Sequence, residues 1–160
     1  EGPADGTTMG DLYVRGPWVI DGYLQGEGTE NFTEDGWFAT GDVAIGTPDG
    51  YFVIADRTKD LIKSGGEWIS SVDMEAAIIA MPQVSEAAVI AVPDPKWQER
   101  PLAAIVVRPG STVTLDDVRE HLLQHGFASW QLPDRVEYID EVPKTAVGKF
   151  DKKVLRGRFA

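Results

Sequence analysis

The sequence predicts an α+β protein, in which a small β-rich remnant of a larger domain is followed by a compact α+β domain whose central sheet is flanked by helices. Three observations predict it. Turn formers break residues 1–55 into short apolar runs, residues 87–92 and 102–107 are continuous apolar runs bounded by Pro93 and by Pro109-Gly110, and helical patterns accompany those runs without a repeated strand-helix-strand unit.

In residues 1–55 the runs Leu12-Tyr13-Val14, Trp18-Val19-Ile20 and Tyr51-Phe52-Val53-Ile54 are separated by Gly16-Pro17, Asp21-Gly22, Asp35-Gly36 and Asp49-Gly50. Such punctuation reads as short strands joined by tight turns. These runs supply too few core residues for a complete domain, so the segment reads as the tail of a larger one, with a boundary near Asp56. Beyond it, Ser70 or Ser71 is placed to cap a helix over residues 72–80, with Val72, Ala76 and Ile79 on one stripe and Pro82 as its stop. The two continuous apolar runs suit central strands covered on both faces. Thr114 and Asp117 form a capping pair for a helix carrying Leu115, Val118 and Leu122, which Gly126 ends in the left-handed conformation. Residues 135–139 read as another strand and residues 151–158 as a short terminal helix. The second segment thus holds about 100 residues, an ordinary domain size.

The 160 residues suffice for one domain or two small pieces that bury a core without staples. With no cysteine there is no disulfide framework, thiolate zinc site or thiol nucleophile, and His121 and His125 are the only imidazoles. A cytoplasmic location fits that composition. No apolar run approaches the roughly 20 residues that cross a bilayer. The first residues lack a signal pattern and begin without Met, which suggests a fragment or processed product. The net charge of −11 argues against nucleic acid as a partner. Charge is unevenly placed, with ten acidic residues against Arg15 in residues 1–50, and Lys144, Lys149, Lys152, Lys153, Arg156 and Arg158 against Asp151 in residues 143–160. Such a tail can be a solvated helix face or a nucleic-acid arm; the glycine before Lys149 favours a polyanion site.

Asp42 follows Thr40-Gly41, at the expected end of a short strand. A carboxylate at a glycine turn can accept two hydrogen bonds from a ribose diol, although an isolated tripeptide of this kind is more often an Asx-turn. Arg57, Lys59 and Lys63 precede Gly65-Gly66; if residues 60–63 are a strand, Lys59, Leu61 and Lys63 share one face. Two cations beside a glycine pair can grip a phosphate or carboxylate, and a hairpin turn with basic flanks fits equally well. Trp68, taken alone, reads as core. Lys149 lies on a loop between Val142-Pro143 and the terminal helix, where an ammonium on a flexible stem can reach a transferring phosphoryl centre and stabilise its charge. No nucleophile triad, no Gly-x-x-x-x-Gly-Lys-Ser/Thr loop and no metal site is read, so phosphates must be held elsewhere.

Three motifs follow in order: Thr40-Gly41-Asp42; Asp56-Arg57-Thr58-Lys59-Asp60-Leu61-Ile62-Lys63-Ser64-Gly65-Gly66; and Pro143-Lys144-Thr145-Ala146-Val147-Gly148-Lys149. Together they resemble the carboxy-terminal third of the acyl-adenylate-forming superfamily, which includes acyl-CoA synthetases, peptide-synthetase adenylation domains and firefly luciferases. Ser64-Gly65-Gly66-Glu67-Trp68-Ile69-Ser70-Ser71 and Pro95-Lys96-Trp97-Gln98-Glu99-Arg100-Pro101 look like the medium- and long-chain fatty-acid CoA ligases. The likeness spans nearly the whole chain.

The resemblance implies a two-step ligase, in which ATP and a fatty acid or related carboxylate give acyl-AMP and pyrophosphate, and CoA then gives the thioester and AMP. It implies that residues 1–55 are the last β-rich subdomain of a large amino-terminal domain, and that residues 56–160 are a mobile domain hinged at Asp56. Carried over by position, Asp42 binds the ribose with support from Arg57, Lys59, Lys63 and Trp68 lie near the adenylate, Gly65 and Gly66 border the pantetheine tunnel, and Lys149 is the adenylation lysine. The parent is expected to be homo-oligomeric, without a transmembrane segment though compatible with peripheral membrane contact. Its Ser/Thr/Gly-rich phosphate loop, acidic Mg2+ ligand and acyl pocket are not in this sequence, so the chain alone is expected to be inactive. Two alternatives stand beside this reading: a CoA ligase for a short or substituted carboxylate such as a methylthio-alkanoate, and a stand-alone anion-binding module.

Overall fold

The computed structural model describes residues 2–160, and the chain divides between Lys59 and Asp60 into two units. The division falls a few residues beyond the compositional boundary because the strand holding Asp56 continues through Arg57.

In the first unit β1 (Met9–Val14), β2 (Phe38–Gly46) and β3 (Phe52–Arg57) form an antiparallel sheet in that order. Trp18-Val19-Ile20, expected as a strand, is not one: Gly16-Pro17 starts a turn in which the Val19 N–H donates to the Gly16 carbonyl at 3.0 Å, and Trp18 is 98% exposed. Asp42 is likewise not at a strand end, since β2 runs through Thr40-Gly41-Asp42. The register slips there, with Tyr13 opposite Ala39 but Asp11 opposite Val43. Gly41, at φ +75°, absorbs the bulge. Val43 and Ala44 are the buried hydrophobic residues of this unit, while Trp18, Leu24, Phe52, Val53 and Ile54 are exposed.

The second unit contains β4 (Ile62–Ser64), β5 (Glu67–Ile69), α1 (Ser71–Ile79), β6 (Val84–Asp94), β7 (Gln98–Val107), α2 (Leu115–Gln124), β8 (Arg135–Tyr138) and α3 (Lys152–Phe159). Its sheet has the order β5-β4-β7-β6, and β8 pairs in parallel with β7. Both continuous apolar runs are covered on two faces, as their composition predicts. Ala87, Val89, Ala103 and Ile105 pack with Met74 and Ile78 of α1 and Val118 and Leu122 of α2. Ala88, Ile90, Leu102 and Ala104 pack with Ile139, Val142 and Leu155 of α3. β6 is nevertheless an edge strand by hydrogen bonding, not a central one. Its Val89 N–H donates to the Glu75 carboxylate of α1 at 2.7 Å, which satisfies one edge donor.

Local signals set the helix ends. Ser70 caps α1 by accepting the Asp73 N–H at 3.1 Å, Thr114 and Asp117 form the predicted capping box of α2, and Asp151 caps α3. The buried stripe of α1 differs from the expected one: Val72, Ala76 and Ile79 face outward, and Ser71, Met74, Glu75, Ala77 and Ile78 are buried. Lys152 explains the choice. Its Nζ lies 2.7 Å from both the Glu75 carboxylate and the Ser71 hydroxyl, drawing two polar side chains of α1 inward. No helix among the described residues is long and apolar enough to cross a membrane.

The side chains of Lys152 and Glu75 are only 10% and 12% exposed, so removing one partner strands a charge. Lys152→Ala is expected to lower stability by about 3–5 kcal/mol. The pair Glu75→Gln with Lys152→Met should recover more than half of that, measured as guanidinium unfolding midpoints; equal loss in both variants would mean the ion pair is not what holds α3.

Candidate functional site

Asp42 is fixed by its own bulge. Its N–H donates to Thr40 Oγ1 at 3.1 Å, Thr40 Oγ1 donates to the Leu12 carbonyl at 3.0 Å, and the Gly41 carbonyl accepts the Thr58 N–H at 2.9 Å. Arg57 is the cross-strand partner of Asp42, and its Nε lies 3.0 Å from Asp42 Oδ1. A carboxylate and a cation are thus held side by side, with Arg57 the more exposed of the two. The alternation of strand side chains turns Asp56 inward, where it is 4% exposed and accepts the Arg57 N–H at 2.7 Å.

Gly65 and Gly66 form the two-residue turn between β4 and β5, with Lys63 opposite Trp68 and Ser64 opposite Glu67. Their φ angles of +62° and +88° are the pair that a tight hairpin of this length demands. The strand reading of residues 60–63 is corrected here. β4 begins only at Ile62, Lys59 lies in the preceding turn, and Leu61 and Ile62 are buried in succession, so Lys59 and Lys63 do not share a strand face. Both lysines are exposed, and Trp68 is half-buried.

The segment after β6 clamps this turn. The Gly65 N–H donates to the Trp97 carbonyl at 2.8 Å, the Lys63 N–H to the Glu99 carboxylate at 2.8 Å, and Arg100 Nη1 to Ser64 Oγ at 2.9 Å. A Cβ on Gly65 would stand 2.9 Å from the Trp97 ring, whereas one on Gly66 would meet open space. Arg100 is buried, and it also donates to the carbonyls of Trp130 and Leu132 at 2.6 and 2.8 Å and to both Asp134 oxygens at 2.7 and 3.3 Å. Sequence reading used Arg100 only as part of a family motif. The sequence carries no signal for its burial, because Arg100 stands in the polar stretch Gln98-Glu99-Arg100-Pro101, ahead of the apolar run at 102–107.

Lys149 lies on a short closed loop. Lys144 and Phe150 form a bridge, the Thr145 N–H donates to the Lys149 carbonyl at 2.7 Å, and the Lys149 N–H donates to Thr145 Oγ1 at 3.2 Å. Gly148, at φ +81°, makes the turn at the loop's tip, its N–H donating to the Thr145 carbonyl at 2.9 Å. The basic segment is not a uniform polyanion surface: Lys144 pairs with Glu86 at 2.6 Å, Lys152 with Glu75, and Arg156 with Asp60. Lys149 is exposed, and no ion pair holds its ammonium among the described residues. No hydrogen bond among the described residues joins its loop to the glycine hairpin.

Residues 73–149 match the AMP-binding enzyme C-terminal domain. The chain carries an AMP-binding enzyme C-terminal domain. Similarity extends beyond those residues. The chain is 52% identical over 159 residues to a long-chain-fatty-acid–CoA ligase of Thermus thermophilus, covering 98% of this chain and 29% of that protein. It is 51% identical over 157 residues to a 3-methylmercaptopropionyl-CoA ligase of Ruegeria lacuscaerulensis, again covering 98% of this chain and 29% of that protein. Among solved structures, ATP-bound MatB from Rhodopseudomonas palustris matches with a TM-score of 0.83 at 34% identity, over 95% of this chain and 30% of that one. Apo MatB matches over the same shares at the same identity with a TM-score of 0.66. The AMP-binding C-terminal domain and the unit before it therefore span under a third of the relatives' length.

Gly65→Ala and Gly66→Ala should each carry the left-handed cost of about 1–2 kcal/mol. Gly65→Ala adds the clash with Trp97 and is expected to be the worse of the two. In a Trp97→Ala background the two substitutions should cost the same by denaturant unfolding, and a gap that persisted would show that Trp97 is not the clamp.

The Lys144 ammonium, and then the Val142 N–H, hold the Glu86 carboxyl below the ordinary 4.5, while Glu86 raises Lys144 above the ordinary 10.5. A depressed carboxylate stabilises the fold above its unfolded value and loses that contribution as pH falls through the folded one. A raised lysine contributes below its unfolded value and loses that contribution as pH rises through the folded one. The stability gap between the wild type and Glu86→Gln should accordingly be flat between 4.5 and 10.5 and narrow on both sides. A gap independent of pH across the acid limb would contradict the pairing.

Proposed function

We propose that this chain is the carboxy-terminal part of an ATP-dependent fatty acyl-CoA ligase. The observation that carries the proposal is the exposed Lys149 ammonium, which no ion pair holds among the described residues, on a loop whose flanking Lys144 and Lys152 are each tied to an acid. In the first half-reaction a carboxylate oxygen bonds to the α-phosphorus of ATP while the bond to pyrophosphate breaks. Lys149 would neutralise charge between the carboxylate and the α-phosphate, a positioned cation acting where charge develops. Asp42 would accept the ribose hydroxyls, with Arg57 supporting its carboxylate, and Lys59, Lys63 and Trp68 would lie near the adenylate. In the second half-reaction the sulfur of CoA bonds to the acyl carbon and AMP leaves, with Gly65 and Gly66 bordering the pantetheine path. Backbone without side chains suits close passage of a thin ligand.

On this reading residues 1–55 are the last subdomain of a large amino-terminal domain, and residues 56–160 rotate about Asp56 between the two steps. The exposed Phe52, Val53 and Ile54 support a covering domain outside this chain. The unequal TM-scores of ATP-bound and apo MatB, 0.83 and 0.66, support a matched stretch that takes two arrangements in that protein. A second reading, a CoA ligase for a short thioether carboxylate, is favoured by the 51% identity to the 3-methylmercaptopropionyl-CoA ligase. The stand-alone anion-binding module loses support, because Lys144, Lys152 and Arg156 are already paired within the fold.

Lys149→Ala in the full-length parent is the test. Pyrophosphate release with ATP and either a fatty acid or a thioether acid should fall by about 10²- to 10³-fold, while thioester formation from pre-made acyl-adenylate should stay within a few-fold. Survival of both steps would leave Lys149 a surface lysine and remove the proposal's main support.

A further inference from the structure

The two ends of the Lys149 loop are held by acids from different elements. On the exit side Lys152 reaches Glu75 of α1, deep in the fold. On the entry side the work falls to Glu86 of β6, whose carboxylate is only partly buried. Glu86 grips the chain twice: Oε2 accepts the Val142 N–H at 3.0 Å, and Oε1 accepts from Lys144 Nζ at 2.6 Å. Those two contacts straddle Pro143, which has no N–H of its own to offer.

A register slip between Val84 and Glu86 sets where this carboxylate emerges, and Ser85 Oγ secures the slip by donating to the Val106 carbonyl at 3.0 Å. Thr145, the residue after Lys144, carries the hydrogen bonding on to Lys149. Thr145 exchanges bonds with Lys149 through its N–H and its hydroxyl, and its carbonyl accepts the Gly148 N–H at 2.9 Å. The tip has no packing to locate it, since Val147 is 79% exposed. The backbone of Lys149 is therefore placed relative to Thr145, and Thr145 relative to Glu86.

We infer that Glu86 is a positioning residue for Lys149, acting through Val142 and Lys144; the inference rests on the adenylation reading of Lys149. Misplacement of a reacting group by about 1 Å can cost around a hundredfold in rate. In the full-length parent, Glu86→Ala should lower the kcat of acyl-adenylate formation about ten- to hundredfold. KM for ATP should be little changed, and thioester formation from pre-made acyl-adenylate should stay within about twofold. Amide exchange at residues 145–149 should quicken while β6 and β7 keep their protection. Lys144→Arg, which preserves the ion pair, should stay near the wild-type rate. Wild-type adenylation in Glu86→Ala would overturn the inference, and so would equal loss in both half-reactions with protection lost across β6 and β7. If Lys149→Ala itself leaves adenylation intact, the underlying reading fails, and the exchange measurement still reports whether Glu86 holds the loop.

Discussion

A buried guanidinium on β7 ties together segments of the second unit that lie far apart in sequence. Arg100 has five N–H donors in a rigid fork, and each lost bond in a site this dry would cost on the order of 1–3 kcal/mol. Its partners come from β4 through Ser64, from the 3-10 turn Ser129–Gln131 through Trp130, and from Leu132 and Asp134 just before β8. None of these segments is close to Arg100 in sequence. They must arrive together for the charge to be tolerated, so the arginine selects one arrangement of β4, β7 and β8 over looser ones.

The consequence reaches the glycine turn. β4 is three residues long and has Ser64 opposite Gln98 as its sheet contact with β7, which is a short ladder for an element that must hold a turn in place. Arg100 to Ser64, Glu99 to Lys63 and Trp97 to Gly65 replace the missing ladder with side-chain and loop contacts. The Lys149 loop has the same design, with Glu86 and Glu75 fixing its two ends and an open tip between them. Rigid bases with bare tips are what a site needs when a ligand, not the protein, is to fill the space at the tip.

What could be read from the sequence was what is decided within a few residues. The caps at Ser70 and Thr114, the left-handed glycine at 126 and the two doubly covered strands are local or compositional, and the structure has them. The inward face of α1 was misjudged because Lys152, 81 residues after Ser71, decides it. The basic tail looked like a free cationic surface for the same reason, its acids lying on the turn before β4, on α1 and on β6. Trp18-Val19-Ile20 had strand-like residues, but Gly16-Pro17 bent the chain before they could pair. Motifs single out Asp42, Arg57, Gly65, Gly66 and Lys149 as candidates; the contacts from Trp97, Glu99, Arg100 and Glu86 that hold the glycine turn and the Lys149 loop could not be read in advance, because they come from residues distant in sequence.

Asp42 shows how a candidate site residue is fixed where a core is thin. The first unit buries Val43 and Ala44 and leaves most of β3 exposed, so packing alone cannot locate a carboxylate on β2. A bulge at Gly41, the Thr40 hydroxyl, the Thr58 N–H and the Arg57 side chain locate it instead, and every one of them lies on β1, β2 or β3 or in the turn that follows. Such short-range bonds form once the three strands pair and depend little on what covers the sheet. Local geometry at Asp42 can therefore be kept while the exposed apolar side chains of β3 are left for another surface to bury, which separates the placement of this carboxylate from the stability of the unit.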